Sequence, residues 1–75
     1  MTKVLVLRCG NKAIHIAGKL ELLDYLVNWI TIHNYQTQRY PEEDADIFEF
    51  DNSNNFKACK LKAMKLGLVQ TARKS

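Results

Sequence analysis

Residues 3–17, KVLVLRCGNKAIHIA, determine the fold class that the sequence predicts. Two runs rich in valine, leucine and isoleucine flank the dipeptide Gly10-Asn11, which is typical of a two-residue hairpin turn with positive φ. A turn of that length places Leu7 opposite Ile14 and sets the neighbouring pairs in the same way. We therefore predict an antiparallel β-hairpin.

The two faces of this hairpin differ in composition. Because successive side chains of a strand alternate, one face carries only large aliphatic residues, namely Leu5, Leu7, Ile14 and Ile16. The other face is mixed and carries Val4, Val6, Arg8, Ala13, His15 and Ala17. We expect the aliphatic face to pack in the core and the mixed face to be half exposed.

A helix is predicted next, over residues 19–33. Its polar side chains fall in one narrow stripe. One apolar face carries Leu20, Leu23, Leu26, Val27 and Ile30. An adjacent second face carries Leu22, Tyr25, Trp29 and Ile32. A three-stranded sheet covers only the first face, so the second must be covered by another helix or by another chain.

The second half of the chain shows weaker signals. Residues 34–41, NYQTQRYP, are polar and contain a proline, so we predict a loop there. Residues 46–50 alternate in polarity, which predicts a third strand with its two phenylalanines inward. A second helix is expected over residues 54–66, ending before Gly67. Residues 68–71 offer a short last strand.

These elements predict a single α+β domain spanning residues 1–75. We expect a small two-layer sandwich, ββαβα, in which a three-strand sheet of order 2-1-3 packs on two helices. A right-handed crossover would place the third strand beside the first and antiparallel to it. The last residues, 72–75, are expected to fray. The predicted core comprises the aliphatic face of the hairpin together with Leu23, Val27, Ile30, Phe48 and Phe50.

The net charge of +3 conceals a strong segregation of charge. Residues 1–37 carry four bases and two acids, residues 38–51 carry one base and six acids, and residues 52–75 carry six bases and no acid. The three segments therefore contribute +2, −5 and +6, which sum to +3. We expect separate acidic and basic regions on the surface, a pattern that concerns partners more than fold.

No motif in the sequence names a reaction or a ligand. Cys9 and Cys59 are expected to be free thiols of a cytoplasmic protein, although nothing in the sequence forbids a bridge between them. Cys9 and His15 lie on opposite faces of the predicted hairpin, so they cannot form a nucleophilic pair. The cysteines and histidines are too scattered for a zinc site, and the segment from Asp51 lacks the glycine and glutamate of a calcium loop.

We therefore expect no enzyme activity, cofactor, metal or small-molecule substrate. No apolar run is long enough to cross a bilayer, so no membrane partner is expected either. A domain this small is marginally stable alone, and association with a partner is a reasonable source of further stability.

The sequence leaves two candidate functions. The first is a non-catalytic protein-interaction or regulatory protein, a homodimer or part of a complex, whose interface is the second helix face with Leu22, Tyr25, Trp29 and Ile32. The alternative is a nucleic-acid-binding module that uses the basic C-terminal residues Lys57, Lys60, Lys62, Lys65, Arg73 and Lys74. The same lysines would also suit docking to an acidic protein, or a helix that is simply solvated.

Overall fold

The structure, a computed structural model, describes residues 4–74, with side chains described up to residue 72. The elements in chain order are β1 (Val4–Cys9), β2 (Lys12–Ala17), α1 (Leu20–His33), β3 (Gln38–Pro41), β4 (Ala45–Phe50), α2 (Ser53–Lys65) and β5 (Val69–Lys74). The strands form one sheet in the order β3-β4-β1-β2-β5.

The β1–β2 hairpin has the predicted register. Gly10 adopts a φ of 61° in the turn, a conformation that glycine reaches without a steric penalty. Leu7 lies opposite Ile14, and Leu5 lies opposite Ile16. The aliphatic face of the hairpin is therefore a single surface, and it is buried.

The α+β class is confirmed, but the sheet has five strands where we predicted three. The predicted order 2-1-3 survives as the central β2-β1-β4, and β3 and β5 extend the sheet at its two edges. The direction of β4 was predicted wrongly, because β4 runs parallel to β1. The reason is β3, which lies in the predicted loop, pairs antiparallel with β4 and reverses the chain before β4 begins.

All four residues of β3 are exposed, so no buried apolar side chain holds this strand to the sheet. A side-chain contact of Arg39 does so in addition to the backbone pairing with β4. Nε and Nη2 of Arg39 both donate to Oδ1 of Asp46, at 3.2 and 3.0 Å. The same guanidinium lies 5.5 Å from the ring centroid of Phe48, and Asp46 is only 6% exposed. A strand held by a charge-assisted contact has no hydrophobic periodicity for sequence analysis to detect.

The last strand, β5, pairs antiparallel with β2 along its whole length. Residues 72–74, for which we predicted fraying, therefore belong to the strand, and Ser75 lies outside the described residues. Leu68, just before β5, is buried, and its N–H donates to the carbonyl oxygen of Ala63 at 3.1 Å. A Cβ at Gly18 would lie 2.3 Å from Cδ2 of Leu68, so a larger residue at this junction would have to displace the Leu68 side chain.

Both helices pack on the aliphatic face of the sheet. The hydrophobic core consists of buried residues from both hairpin strands, both helices, β4 and the segment before β5, namely Leu5, Leu7, Ile14, Ile16, Leu23, Leu26, Ile30, Phe48, Phe50, Phe56, Cys59, Ala63 and Leu68. Val27 is the one predicted core residue that is only partly buried. The side chain of Asn52 caps α2 by accepting from the N–H of Asn54 at 2.8 Å.

The opposite face of the sheet is more buried than we expected. Val6 and Ala13 are buried there, although no helix of the described chain packs over them. Long side chains supply part of the cover, since Arg8 donates a hydrogen bond to Glu49 and its guanidinium lies 5.9 Å from the Tyr40 ring centroid. These contacts link β1, β4 and β3 across the face.

Removing the Arg39 guanidinium should destabilise the protein through β3. We expect Arg39→Ala to lower the free energy of unfolding by about 1–3 kcal/mol, because a buried carboxylate loses a charged hydrogen-bond donor. Arg39→Lys is the matched control that keeps the charge and loses the two-nitrogen contact. Its free energy of unfolding should lie between those of the wild type and Arg39→Ala. Urea denaturation measures all three proteins. An Arg39→Ala variant as stable as the wild type would contradict this account of β3.

Candidate binding site between the two helices

An open groove separates α1 from α2 on the outer side of the helical layer. Its volume is about 300 Å³, and its lining consists of Trp29, Tyr35, Ala58, Leu61, Lys62 and Lys65. The groove therefore joins one residue of the predicted protein interface to two of the predicted basic residues. We refer to it as the interhelical groove.

Two aromatic rings, those of Trp29 and Tyr35, form one wall of the interhelical groove, and His33 packs against both of them. The Trp29 ring centroid lies 4.5 Å from that of His33 and 5.3 Å from that of Tyr35, while the His33 and Tyr35 rings stack at 5.4 Å. Trp29 and His33 are one helical turn apart, so their side chains meet on the surface of α1. Asn34 ends the helix in the left-handed conformation, with φ 54°, and the N–H of Tyr35 donates to the Ile30 carbonyl oxygen.

Sequence analysis missed Tyr35, because it lies in the segment predicted as a loop. The available signal was an asparagine at the end of a helix followed at once by an aromatic residue, since asparagine tolerates the left-handed conformation that turns the chain back. Asn55 of α2 donates to the carbonyl oxygen of Tyr35 at 3.3 Å, which ties this aromatic wall to the second helix.

Lys62 brings a positive charge to the aromatic wall. Its Nζ lies 5.3 Å from the ring centroid of Tyr25 and 5.5 Å from that of Trp29, within the range of cation–π attraction. Where side chains are described, neither Lys62 nor Lys65 forms an ion pair with a carboxylate. Both ammonium groups are therefore free to meet an anionic partner.

The predicted interface residues are partly covered by the fold. Leu22 and Trp29 pack partly against the core, whereas Tyr25 is 51% exposed and Ile32 is 79% exposed. Tyr25 contacts Lys62 at the groove, as described above. The second helix thus covers only part of this face, and a substantial apolar and aromatic area remains at the surface.

The predicted basic residues do not form one surface. Lys62 and Lys65 line the interhelical groove. Lys60 lies on the opposite flank of α2, where its carbonyl oxygen accepts a hydrogen bond from Gln70 of β5 at 3.1 Å. Its ammonium group lies 5.5 Å from the Phe56 ring centroid. The structure therefore gives the groove two of the six predicted cations.

The remaining three basic residues are placed elsewhere. Lys57 is exposed in the first half of α2, and its position on the helix puts it on the same flank as Lys60. Arg73 and Lys74 belong to β5 rather than to a free tail, and their side chains lie outside the described set. The described side chains of α2 therefore do not form a continuous cationic surface along the helix.

The acidic segment and the lysines of α2 form separate surface regions, as predicted for this part of the chain. Glu42, Glu43 and Asp44 are exposed in the turn between β3 and β4, which we call the acidic turn. Further along the segment, Asp46 and Glu49 interact with arginines of the sheet. Among described side chains, no lysine of α2 pairs with any of these carboxylates.

Cys9 and Cys59 are both free thiols, and Cys59 is buried and therefore unreactive. Burial raises the pKa of the Cys59 thiol to about 12, so the thiolate is scarce at neutral pH. Within residues 4–74 no group of three or more His, Cys, Asp or Glu side chains is placed to hold a metal ion. Neither helix described has the length and apolar character needed to cross a membrane.

Thiol modification should distinguish the two cysteines. At about pH 8, a water-soluble disulfide reagent should modify Cys9 and spare Cys59 until the protein unfolds. The Cys9→Ser variant should therefore show no rapid reaction. Rapid native reaction of Cys9→Ser would show that the core opens readily.

As the pH rises from 9, the unfolded Cys59 thiol loses its proton before the folded thiol does, so the contribution of Cys59 to stability should fall steadily up to about pH 12.

The chain matches no protein-family model, no curated protein and no solved structure. Its function is therefore inferred from the chemistry of its own surface.

Proposed function

We propose that the chain is a non-catalytic protein-interaction domain with a regulatory role, and that its partner docks in the interhelical groove. The observation that supports this most directly is Lys62, whose ammonium group contacts the rings of Tyr25 and Trp29 and pairs with no carboxylate among the described side chains. Tryptophan and tyrosine are among the residues that most often anchor protein interfaces.

The exposure of the surrounding residues also supports docking at this place. Ile32 on α1 and Leu61 on α2 are well exposed, and Leu61 lines the groove itself. Apolar side chains scattered singly on a surface need no explanation, but Leu61 lines the groove and Ile32 lies one helical turn from the groove residue Trp29. A partner that covers the groove would remove them from water together with Tyr25.

The alternative function, nucleic-acid binding, has less support. Affinity for nucleic acid depends on neutralising several phosphates along a backbone. Only Lys62 and Lys65 lie together at the groove, whereas Lys57 and Lys60 occupy the other flank of α2. The aromatic wall offers stacking surfaces, so nucleic acid stays a defined outcome of the experiment below.

Site-specific photo-crosslinking in the native cell tests the proposal. A photoreactive phenylalanine derivative at position 32 should trap a protein, because Ile32 is exposed on α1 one helical turn after the groove residue Trp29. The same derivative at Asp24 is the matched control, since Asp24 is exposed on the far flank of α1. The Lys62→Glu change should abolish trapping, and Lys57→Glu should leave it intact. Trapping of nucleic acid, or equal trapping at both positions, would contradict the proposal.

Alanine variants of the two aromatic residues that contact Lys62 should weaken binding of the trapped protein. We expect Trp29→Ala and Tyr25→Ala each to cost about 2 kcal/mol of binding free energy, roughly a 30-fold loss of affinity. Tyr25→Ala is the sharper variant, because Tyr25 is half exposed and its loss should change the free energy of unfolding by only about 0.5 kcal/mol. Calorimetric titration measures the binding. Unchanged affinity in Tyr25→Ala would exclude the groove as the docking site.

A further inference from the structure

We infer that the interhelical groove binds the acidic turn of a second copy of this chain. The inference rests on the proposed function, since it names one protein partner of the same groove. It is carried by charge complementarity between two surfaces of the described molecule that do not contact each other within one copy.

The groove selects for negative charge. Lys62 and Lys65 are one helical turn apart on α2, and none of the six lining residues carries a carboxylate. Contact with the Tyr25 and Trp29 rings limits the freedom of the Lys62 side chain before any partner arrives. A carboxylate that reaches this ammonium group therefore meets a cation already in place, which favours charge-assisted hydrogen bonds.

The groove also requires an apolar contact. Trp29, Tyr35, Ala58 and Leu61 supply most of its wall. Its volume of about 300 Å³ lies at the lower end of the roughly 300–1,000 Å³ typical of ligand pockets. A space of that size suits one loop carrying a bulky side chain better than a whole helix.

The acidic turn matches both requirements. The chain reads Tyr40-Pro41-Glu42-Glu43-Asp44, so an aromatic residue and a proline come directly before three carboxylates. Tyr40 keeps 39% of its surface exposed beside its contact with Arg8, and the other four residues are exposed as well.

Main-chain hydrogen bonds hold the acidic turn in shape. The N–H of Glu42 donates to the carbonyl oxygen of Ala45 at 2.6 Å, and the N–H of Val4 donates to that of Asp44 at 3.0 Å. With its backbone bonded to the sheet, the turn presents its carboxylates outward. A preformed loop loses less conformational entropy on binding than a flexible one.

This arrangement differs from a dimer in which the groove faces itself. A two-fold contact of that kind would bring four lysines together without a carboxylate from either groove lining. Docking the acidic turn in the groove instead places opposite charges in contact. Such a contact joins two different surfaces, so it forms either a reciprocal pair or a head-to-tail assembly.

Sedimentation equilibrium of the full chain tests the inference. We expect self-association that weakens in Glu42→Lys/Glu43→Lys, the turn variant, and in Lys62→Glu/Lys65→Glu, the groove variant. The loss should be at least about tenfold in each case. Two controls make equal charge changes elsewhere, Glu21→Lys/Asp24→Lys on α1 and Lys57→Glu/Lys60→Glu on the other flank of α2, and they should associate like the wild type.

Mixing the two weakened variants gives the decisive result. The turn variant keeps an intact groove and the groove variant keeps an intact turn, so the mixture should associate although neither protein does alone. Thermal unfolding of each variant checks that it is folded. A wild type that stays monomeric, controls that lose association equally, or a mixture that stays dissociated would each overturn the inference. In those cases trapping of a different protein at position 32 would still support the proposed function, whereas no trapping would remove both.

Discussion

The register of β1 is the constraint on which the rest of the structure depends. Leu5 and Leu7 point into the core from the centre of the sheet, and β1 pairs with a neighbour on each side. A slip of one residue would turn both side chains to the open face and bring Val6 and Arg8 inward. Because Leu5 and Leu7 both point to one face, the two helices pack there, side by side. The interhelical groove is a direct consequence of that arrangement.

The parts of the fold that depend on local patterns were predictable from the sequence. The hairpin register followed from Gly10-Asn11, and the two helices followed from apolar spacing and nearby capping residues. The division of the α2 lysines into two flanks also followed from helical geometry. Which flank faces α1 could not be predicted, because it depends on how the helices pack on the sheet.

The parts that depend on contacts between distant residues were not predictable in the same way. The strand β3 is exposed throughout, and Arg39 attaches it to Asp46. Because β3 was not predicted, we inferred the direction of β4 from a single crossover out of β2 through α1. That crossover would make β4 antiparallel to β1, whereas the two strands are parallel. Tyr35 joined the groove through a left-handed turn at Asn34, a local feature that sequence analysis passed over. Of the predicted interface residues, Tyr25 and Ile32 are exposed, and the predicted set contained no residue of α2.

The distribution of ion pairs explains why the surface charges remain segregated. The two arginines with described side chains both pair within the sheet, Arg8 with Glu49 and Arg39 with Asp46. The lysines of α2 and the carboxylates of the acidic turn are left without partners of opposite charge among the described side chains. Exposed ion pairs add little to stability, typically less than about 1 kcal/mol each. Leaving these charges unpaired therefore costs the fold little and keeps them available for association.

The mixed topology of the sheet has a kinetic consequence. The hairpins β1–β2 and β3–β4 join residues close in sequence, whereas Val4 pairs with Ala45 and Ile14 pairs with Ala72, 41 and 58 positions away. Contacts of such long range slow folding, because a large loop must close before they form. During synthesis the outer edge of β2 has no neighbour until β5 emerges, and an unpaired strand edge attracts other chains. The arrival of β5 thus ends the interval in which the nascent sheet is most prone to aggregate.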